Sequence, residues 1–288
     1  MPSMSTSAKG LSGMSDFFIE EIIRLLGYQF FQYALLGGAL VALTCAVVGL
    51  LIVLRKESMI GDSVAHTAFG GIAIGILLGV EPILTALVFA VFSVLLIAYM
   101  RTRGLAHSDA AMAVMLAAGF SLGLIVVSAA GGFTVDLFSY LFGSILTIDT
   151  TELVITAILA IFSLAIMGIF YKELLSITFD EQAARLNGIP VTALSIAFNV
   201  LVAVTIVISI KVVGIILVAA LLVLPGLSAL QLDQSFRKTL LASIFLALLT
   251  TTLGIFISAL FDVAASGIIV FTAVGVFLLA VAYGRLGR

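Results

Sequence analysis

Charge is what this chain has least of. Lys, Arg, Asp and Glu make up 10% of its 288 residues, where a soluble domain carries about a quarter. That excludes an ordinary soluble fold. The net charge of -2 excludes the basic footprint of a nucleic-acid binder. Trp is absent, so Tyr and Phe must form any aromatic belt at a membrane interface. Cys45 stands alone, which rules out an internal disulfide and a thiolate cluster for zinc or iron–sulfur. Beside Thr44 in mid-helix, it reads as a packing residue. No Gly-x-x-x-x-Gly-Lys-Ser/Thr occurs, so no phosphate loop of the P-loop type is expected and any ATPase must be a separate subunit. No cleavable signal is evident, and residues 1–13 are small, polar and expected to be disordered.

What remains is apolar. Hydrophobic residues make up 63% of the chain and the mean hydropathy is +1.36. The apolar runs are near-continuous rather than alternating, which fits membrane helices and not a membrane barrel. The expectation is an all-α integral membrane protein, a polytopic bundle of eight to nine transmembrane helices. Runs of about 20 residues, the length a bilayer requires, fall at 31–54, 58–80, 83–100, 109–130, 152–171, 191–210, 212–231, 239–260 and 264–283. The sixth and seventh meet at a bare Ser209-Ile210-Lys211-Val212 corner, so one of them is open to being broken or re-entrant.

Basic residues orient the chain. With nine spans and the N-terminus outside, the inner loops hold Arg55, Lys56, Arg101, Arg103, Lys172, Arg185, Arg237, Lys238, Arg285 and Arg288, ten of the thirteen. The C-terminus is then cytoplasmic. The outer side collects Asp16, Glu20, Glu21, Glu81, Asp136, Asp149, Glu152 and Asp262. That is a face mildly attractive to cations or simply solvated loops.

Residues 1–29 form an N-terminal extension, in which 14–29 read as an amphipathic interfacial helix. Residues 30–288 form one transmembrane domain. Within it, Val135 to Leu146 read as a short helix started by Asp136, too short to span. The loop Thr178 to Pro190 reads as a cytoplasmic helix capped by Thr178 or Asp180 and stopped by Gly188 and Pro190. It is a connector or a knob for a cytoplasmic partner. The seventh span carries Leu224-Pro225-Gly226, a kink tolerated where it lines a cavity or a helix interface. Asn199, inside the sixth span, is expected to bond a neighbouring helix, and His107 to be a solvated loop residue.

The chain has only two histidines. One of them, His66, lies four residues after Asp62 at the start of the second span, in Gly61-Asp62-Ser63-Val64-Ala65-His66. Four residues turn a helix by about 400°, so both side chains share a face one turn apart. A carboxylate and an imidazole there can share a divalent cation or a proton, and an intramembrane ionisable pair is a functional-site hypothesis by default. The plainer reading is a helix start near the headgroups, where Asp favours first turns.

These residues bring a family into view. Arg55 to Gly71 with its Gly-Asp-Ser-x-x-His core, Val135 to Leu146 with Asp-Leu-Phe-x-x-Leu-Phe-Gly, the loop Phe179 to Pro190, and Val213 to Ala229 together resemble the permease subunit of metal-ion ABC importers, the zinc/manganese/iron family. The resemblance covers roughly residues 30–283. It implies a plasma-membrane homodimer, a second copy of the chain completing the pathway. It also implies a cytoplasmic ABC ATPase dimer and an extracytoplasmic metal-binding protein, with no cofactor beyond the transported ion. Asp62 and His66 match the positions thought to coordinate metal in transit, with Ser63 and Ser228 as pathway residues. Phe179, Asp180, Glu181, Ala184, Arg185 and Gly188 match the ATPase-coupling segment. The chain departs from the family at Pro225-Gly226-Leu227-Ser228-Ala229, where Pro-Ala-Ala-Thr-Ala is common. Two rival readings stand beside the importer of bare divalent ions: a proton-coupled secondary cation transporter using Asp62 and His66 as a relay, and an ABC permease for a metal chelate.

Overall fold

Proline and glycine set several of the helix ends. The computed structural model describes residues 22–132, 135–143 and 148–286. From Gln29 on, twelve helices follow one another among the described residues: α1 Gln29–Leu54, α2 Ile60–Leu78, α3 Pro82–Thr102, α4 Ser108–Ala129, α5 Val135–Phe142, α6 Thr150–Ile169, α7 Tyr171–Phe179, α8 Glu181–Leu186, α9 Val191–Val213, α10 Ile215–Leu230, α11 Phe236–Phe261 and α12 Ala265–Leu286. Among the described residues there is no strand. Gly79 ends α2 in the left-handed conformation (φ 66°), with the Val80 N–H donating to the Gly75 carbonyl at 2.9 Å. Pro82 then starts α3 at its first position, where no N–H is needed. Asp149 caps α6 with a reciprocal bond to Glu152.

Eight helices among the described residues are long and apolar enough to cross a membrane: α1, α2, α3, α4, α6, α9, α11 and α12. The chain is a multi-pass, all-helical membrane protein. The seventh expected span, 212–231, is α10, which is 16 residues long, short of the roughly 20 a straight crossing needs. The break before it is also displaced from the expected corner. α9 runs on through Ser209 and Lys211 and stops at Gly214, whose φ of 85° no side chain tolerates easily. Lys211 lies in the last turn of α9, where a cation is favoured, and its Nζ is 2.9 Å from Glu152 of α6. Gly214 packs backbone against backbone on Gly143 (φ 77°), the residue after α5, so the short helix is pinned to the α9–α10 corner.

The centre of the bundle is α1, α2, α9 and α10, with α3, α4, α6, α11 and α12 around them. Lipid offers no hydrophobic drive between helices, so close approach of small residues must hold them. Gly49 of α1 lies on the backbone of Leu222, and Gly226 of α10 on Leu50. Gly71 and Gly75 of α2 sit on Ala86 and on Thr85 with Pro82, the start of α3. Gly119 and Gly123 of α4 bring that helix onto Thr67, Phe69 and Gly70. The inner-loop helix is shorter than Phe179 to Pro190: Phe179 ends α7, Asp180 caps, and α8 has six residues. Of the interfacial helix expected at 14–29, residues 22–26 are helical and residues 14–21 lie outside the described residues. So do Ser144 to Leu146 and the Asp136 side chain.

Candidate functional site

α2 is buried almost all round. From Ile60 to Ile76 its residues are buried except Asp62, His66, Ile74 and Ile76, which are partly open. The two ionisable groups thus share the one open strip of an otherwise enclosed helix. Asp62 sits in the first turn, where unsatisfied backbone N–H groups favour a carboxylate. No hydrogen bond or ion pair to a described residue satisfies either side chain, and His66 Nδ1 is buried without a partner. Ring packing holds the imidazole instead: Phe120 of α4 meets it edge-on, centroids 5.1 Å apart and planes at 78°. Phe69 backs Phe120 at 5.8 Å. Among the described residues no third His, Cys, Asp or Glu joins them to make a metal cluster. One chain therefore presents one carboxylate and one imidazole, half of a four-ligand set.

Ser63 and Ser228, the other two residues expected in the pathway, are not brought to this strip. Ser63 is fully buried, and its hydroxyl donates to the Met112 carbonyl at 2.6 Å. Thr67 follows one turn on, donating to Ser63 O at 2.8 Å and Met115 O at 3.2 Å. Ser63 and Thr67 lock α2 to α4 and so fix where the strip points. Ser228 is buried and donates to Leu224 O of its own helix at 2.7 Å, beside Pro225, which gives no backbone N–H to Leu221 O.

At the far end of α1 lies a network the sequence reading missed. Glu57 is buried, and Arg101 donates to its Oε1 at 2.6 Å, while Arg55 Nε lies 3.6 Å from Oε2. Arg55 also donates to Ser195 Oγ at 3.1 Å and lies 5.0 Å over the Phe198 ring. Burial pulls the Arg55 guanidinium below its ordinary pKa, against the pull of Glu57. Asn199 makes none of its expected interhelical bonds, its Oδ1 being buried without a partner.

The inner loop next to this network divides its expected residues. Asp180 accepts from Ala183 N at 2.9 Å, and Glu181 pairs with Arg185 at 2.7 Å in the open. Gly188 takes φ 80°. Ala184 faces inward, buried against Ile177 and Val191. The outward apolar groups are Phe179, 67% exposed, and Leu186, 90% exposed. Leu186 had no sequence signal beyond its place after Arg185.

The family model described as "ABC 3 transport family" matches residues 27–284. The chain belongs to the ABC 3 transport family. Its relatives in that family include the "Manganese transport system membrane protein MntC" of Halalkalibacterium halodurans, 32% identical over 264 residues, covering 92% of this chain and 89% of that one. The "Probable metal transport system membrane protein" of Treponema pallidum is also 32% identical, over 92% of this chain and 99% of that one. A solved structure titled "PsaBC from Streptococcus pneumoniae in complex with Fab" superposes with a TM-score of 0.83 at 31% identity, covering 94% of this ABC 3 chain and 100% of that one.

Proposed function

We propose that this ABC 3 chain is the membrane permease of an ATP-driven importer of divalent transition-metal ions, with manganese, iron and zinc as the substrate class. The observation that carries the reading is the unpartnered Asp62–His66 pair on the single open strip of α2. Carboxylate oxygen and imidazole nitrogen suit these ions. The names of the manganese and metal transport relatives support the same class. Two ligands hold a divalent ion weakly, so a second copy facing the strip supplies the other two. Two ligands per chain are too few to close a tetrahedral site, which favours passage over storage. The ring of Phe120 holds His66 in place, so the imidazole is oriented before the ion arrives.

The chain carries no nucleotide-binding loop, so a separate ATPase pair supplies the work. It docks on α8 with Phe179 and Leu186 as apolar anchors and Glu181 and Arg185 at the rim. Arg55, Arg101 and Arg185 gather at one end of the bundle, and Glu81, Glu152 and Lys211 line a crevice that also holds Val212, next to the Gly214 corner. The excess of basic residues assigns the arginine end to the cytoplasm, with the N-terminus outside and an extracytoplasmic metal-binding protein delivering the ion. The test is metal uptake by the chain with its ATPase. Loss on Asp62→Ala and on His66→Ala, with ATPase assembly intact, is expected. Normal uptake by either variant would sink the site.

A further inference from the structure

The arginine end holds a polar cavity of about 230 Å³, away from Asp62 and His66. Arg55, Arg101, Arg185, Ser195 and Asn199 supply its polar wall, with Glu181 beside Arg185. Two of these residues carry buried polar atoms with no partner: Arg55 Nη1 and Asn199 Oδ1. The Arg55 side chain is 9% exposed and Asn199 is 3% exposed. Buried polar atoms in folded proteins nearly always have a partner, so two that do not, lining one cavity, mark a place for a polar ligand.

The charges say which kind. Glu57 serves Arg55 and Arg101 together, and Glu181 serves Arg185. Three cations against two carboxylates leave one positive charge. α9 also opens on the cavity at Val191 and Thr192. Its N-cap, Pro190, offers no side-chain bond; the Val191 N–H donates to Ile189 O at 2.8 Å, which leaves the Thr192 and Ala193 N–H groups to face an anion. Guanidinium forks and helix N-termini both match tetrahedral oxyanions. Ala98 and Ile196 form an apolar flank, and α3, which carries Ala98, is mostly uncovered by protein.

We propose that this cavity is a binding site for a phosphate group of single negative charge, supplied by an acidic phospholipid headgroup of the inner leaflet or by free phosphate. The group bonds Arg55 Nη1, Arg101 and the α9 N-terminus, with the Asn199 amide turned to donate. It ties α8, where the ATPase docks, to the loop from Arg55 that leads into α2. The metal strip and the coupling helix are thereby joined through an anion.

The test uses the purified full-length chain. Native mass spectrometry follows its incubation with phosphatidylglycerol or phosphatidylcholine, and equilibrium dialysis measures labelled inorganic phosphate. The expected result is one phosphate-bearing ligand per chain. Preference for phosphatidylglycerol assigns the lipid source, and uptake of inorganic phosphate assigns the free ion. Asn199→Leu and Arg55→Gln each lower retention about tenfold, the worth of one hydrogen bond to a charged group. Lys172→Gln, exposed on α7 and off the cavity wall, leaves it unchanged. Asn199→Leu keeps the Arg55–Glu57 contact, so it separates binding from folding. Equal retention of both lipids without phosphate binding overturns the proposal, as does unchanged retention by Asn199→Leu. Protection of Arg55 only on adding the ATPase subunit also overturns it, and gives the arginines to a protein carboxylate.

Discussion

Gly119→Ala tests how the Asp62–His66 strip proposed to take metal is held. A methyl there would lie 2.7 Å from Thr67 Oγ1 and 2.8 Å from Thr67 N, and harder still against Thr67 Cα. Ordinary carbon contacts need about 3.5 Å, so α2 and α4 must part by about 1 Å. Two of the blocking atoms are backbone, and no rotamer moves them. Overpacking of this kind costs about 1–3 kcal/mol. The same shift stretches Ser63 Oγ–Met112 O and Thr67 Oγ1–Met115 O, each worth about 1 kcal/mol. The combined loss is about 3–5 kcal/mol. It also moves His66, the neighbour of Thr67, against Phe120, the neighbour of Gly119, so metal uptake falls with stability. Thermal unfolding of the purified chain measures the first effect and uptake the second. Thr67→Ala should not rescue the variant, because Cα and N remain. Gly275→Ala in α12, where nothing lies within 4 Å, is the control, expected to be neutral or stabilising by about 0.5–1 kcal/mol. The reasoning fails if Gly119→Ala unfolds at or above the wild-type temperature.

Other outcomes follow from the same geometry. Ser63→Ala should lower stability by about 1 kcal/mol yet keep metal uptake per folded molecule, measured by normalising uptake to protein in the membrane; loss of uptake at full stability would return Ser63 to the pathway. Glu57→Ala leaves two guanidinium groups without their shared carboxylate, and unfolding should show a loss of about 2–4 kcal/mol, discounted because Arg101 is partly solvated. Leu186→Asp, at a fully presented position, should weaken ATPase co-purification at least about tenfold and leave the chain's own melting temperature unmoved. Uptake should fall as pH drops, because an imidazolium has no lone pair for a metal. A rise on external acidification would favour the proton-coupled reading instead.

The residues show why some of this was readable before the structure. Asp62 and His66 stood out because ionisable groups four apart in an apolar run have no cheap alternative. Their shared strip follows from helix period alone. Ser63 sits about 100° round from Asp62, and that same period already turned it toward a neighbouring helix. The α9–α10 break was misplaced because Ser209 and Lys211 look like a corner. Lys211 instead sits in the last turn of α9 and pairs with Glu152, 59 residues earlier in the chain, and pairing at that distance leaves no local mark. The Arg55–Glu57–Arg101 network was hidden for the same reason. Ala184 turns inward and Leu186 outward, which the sequence did not show because a six-residue helix has too few turns for its buried face to be read from pattern.

The most direct measurement is uptake of radiolabelled manganese, iron and zinc into cells expressing the chain with its ATPase, comparing wild type, Asp62→Ala, His66→Ala and an ATPase-dead partner. The account predicts uptake of one of these metals, abolished by all three changes, with the variant chains still bound to the ATPase. Uptake that persists in His66→Ala, or that ignores the ATPase, contradicts it.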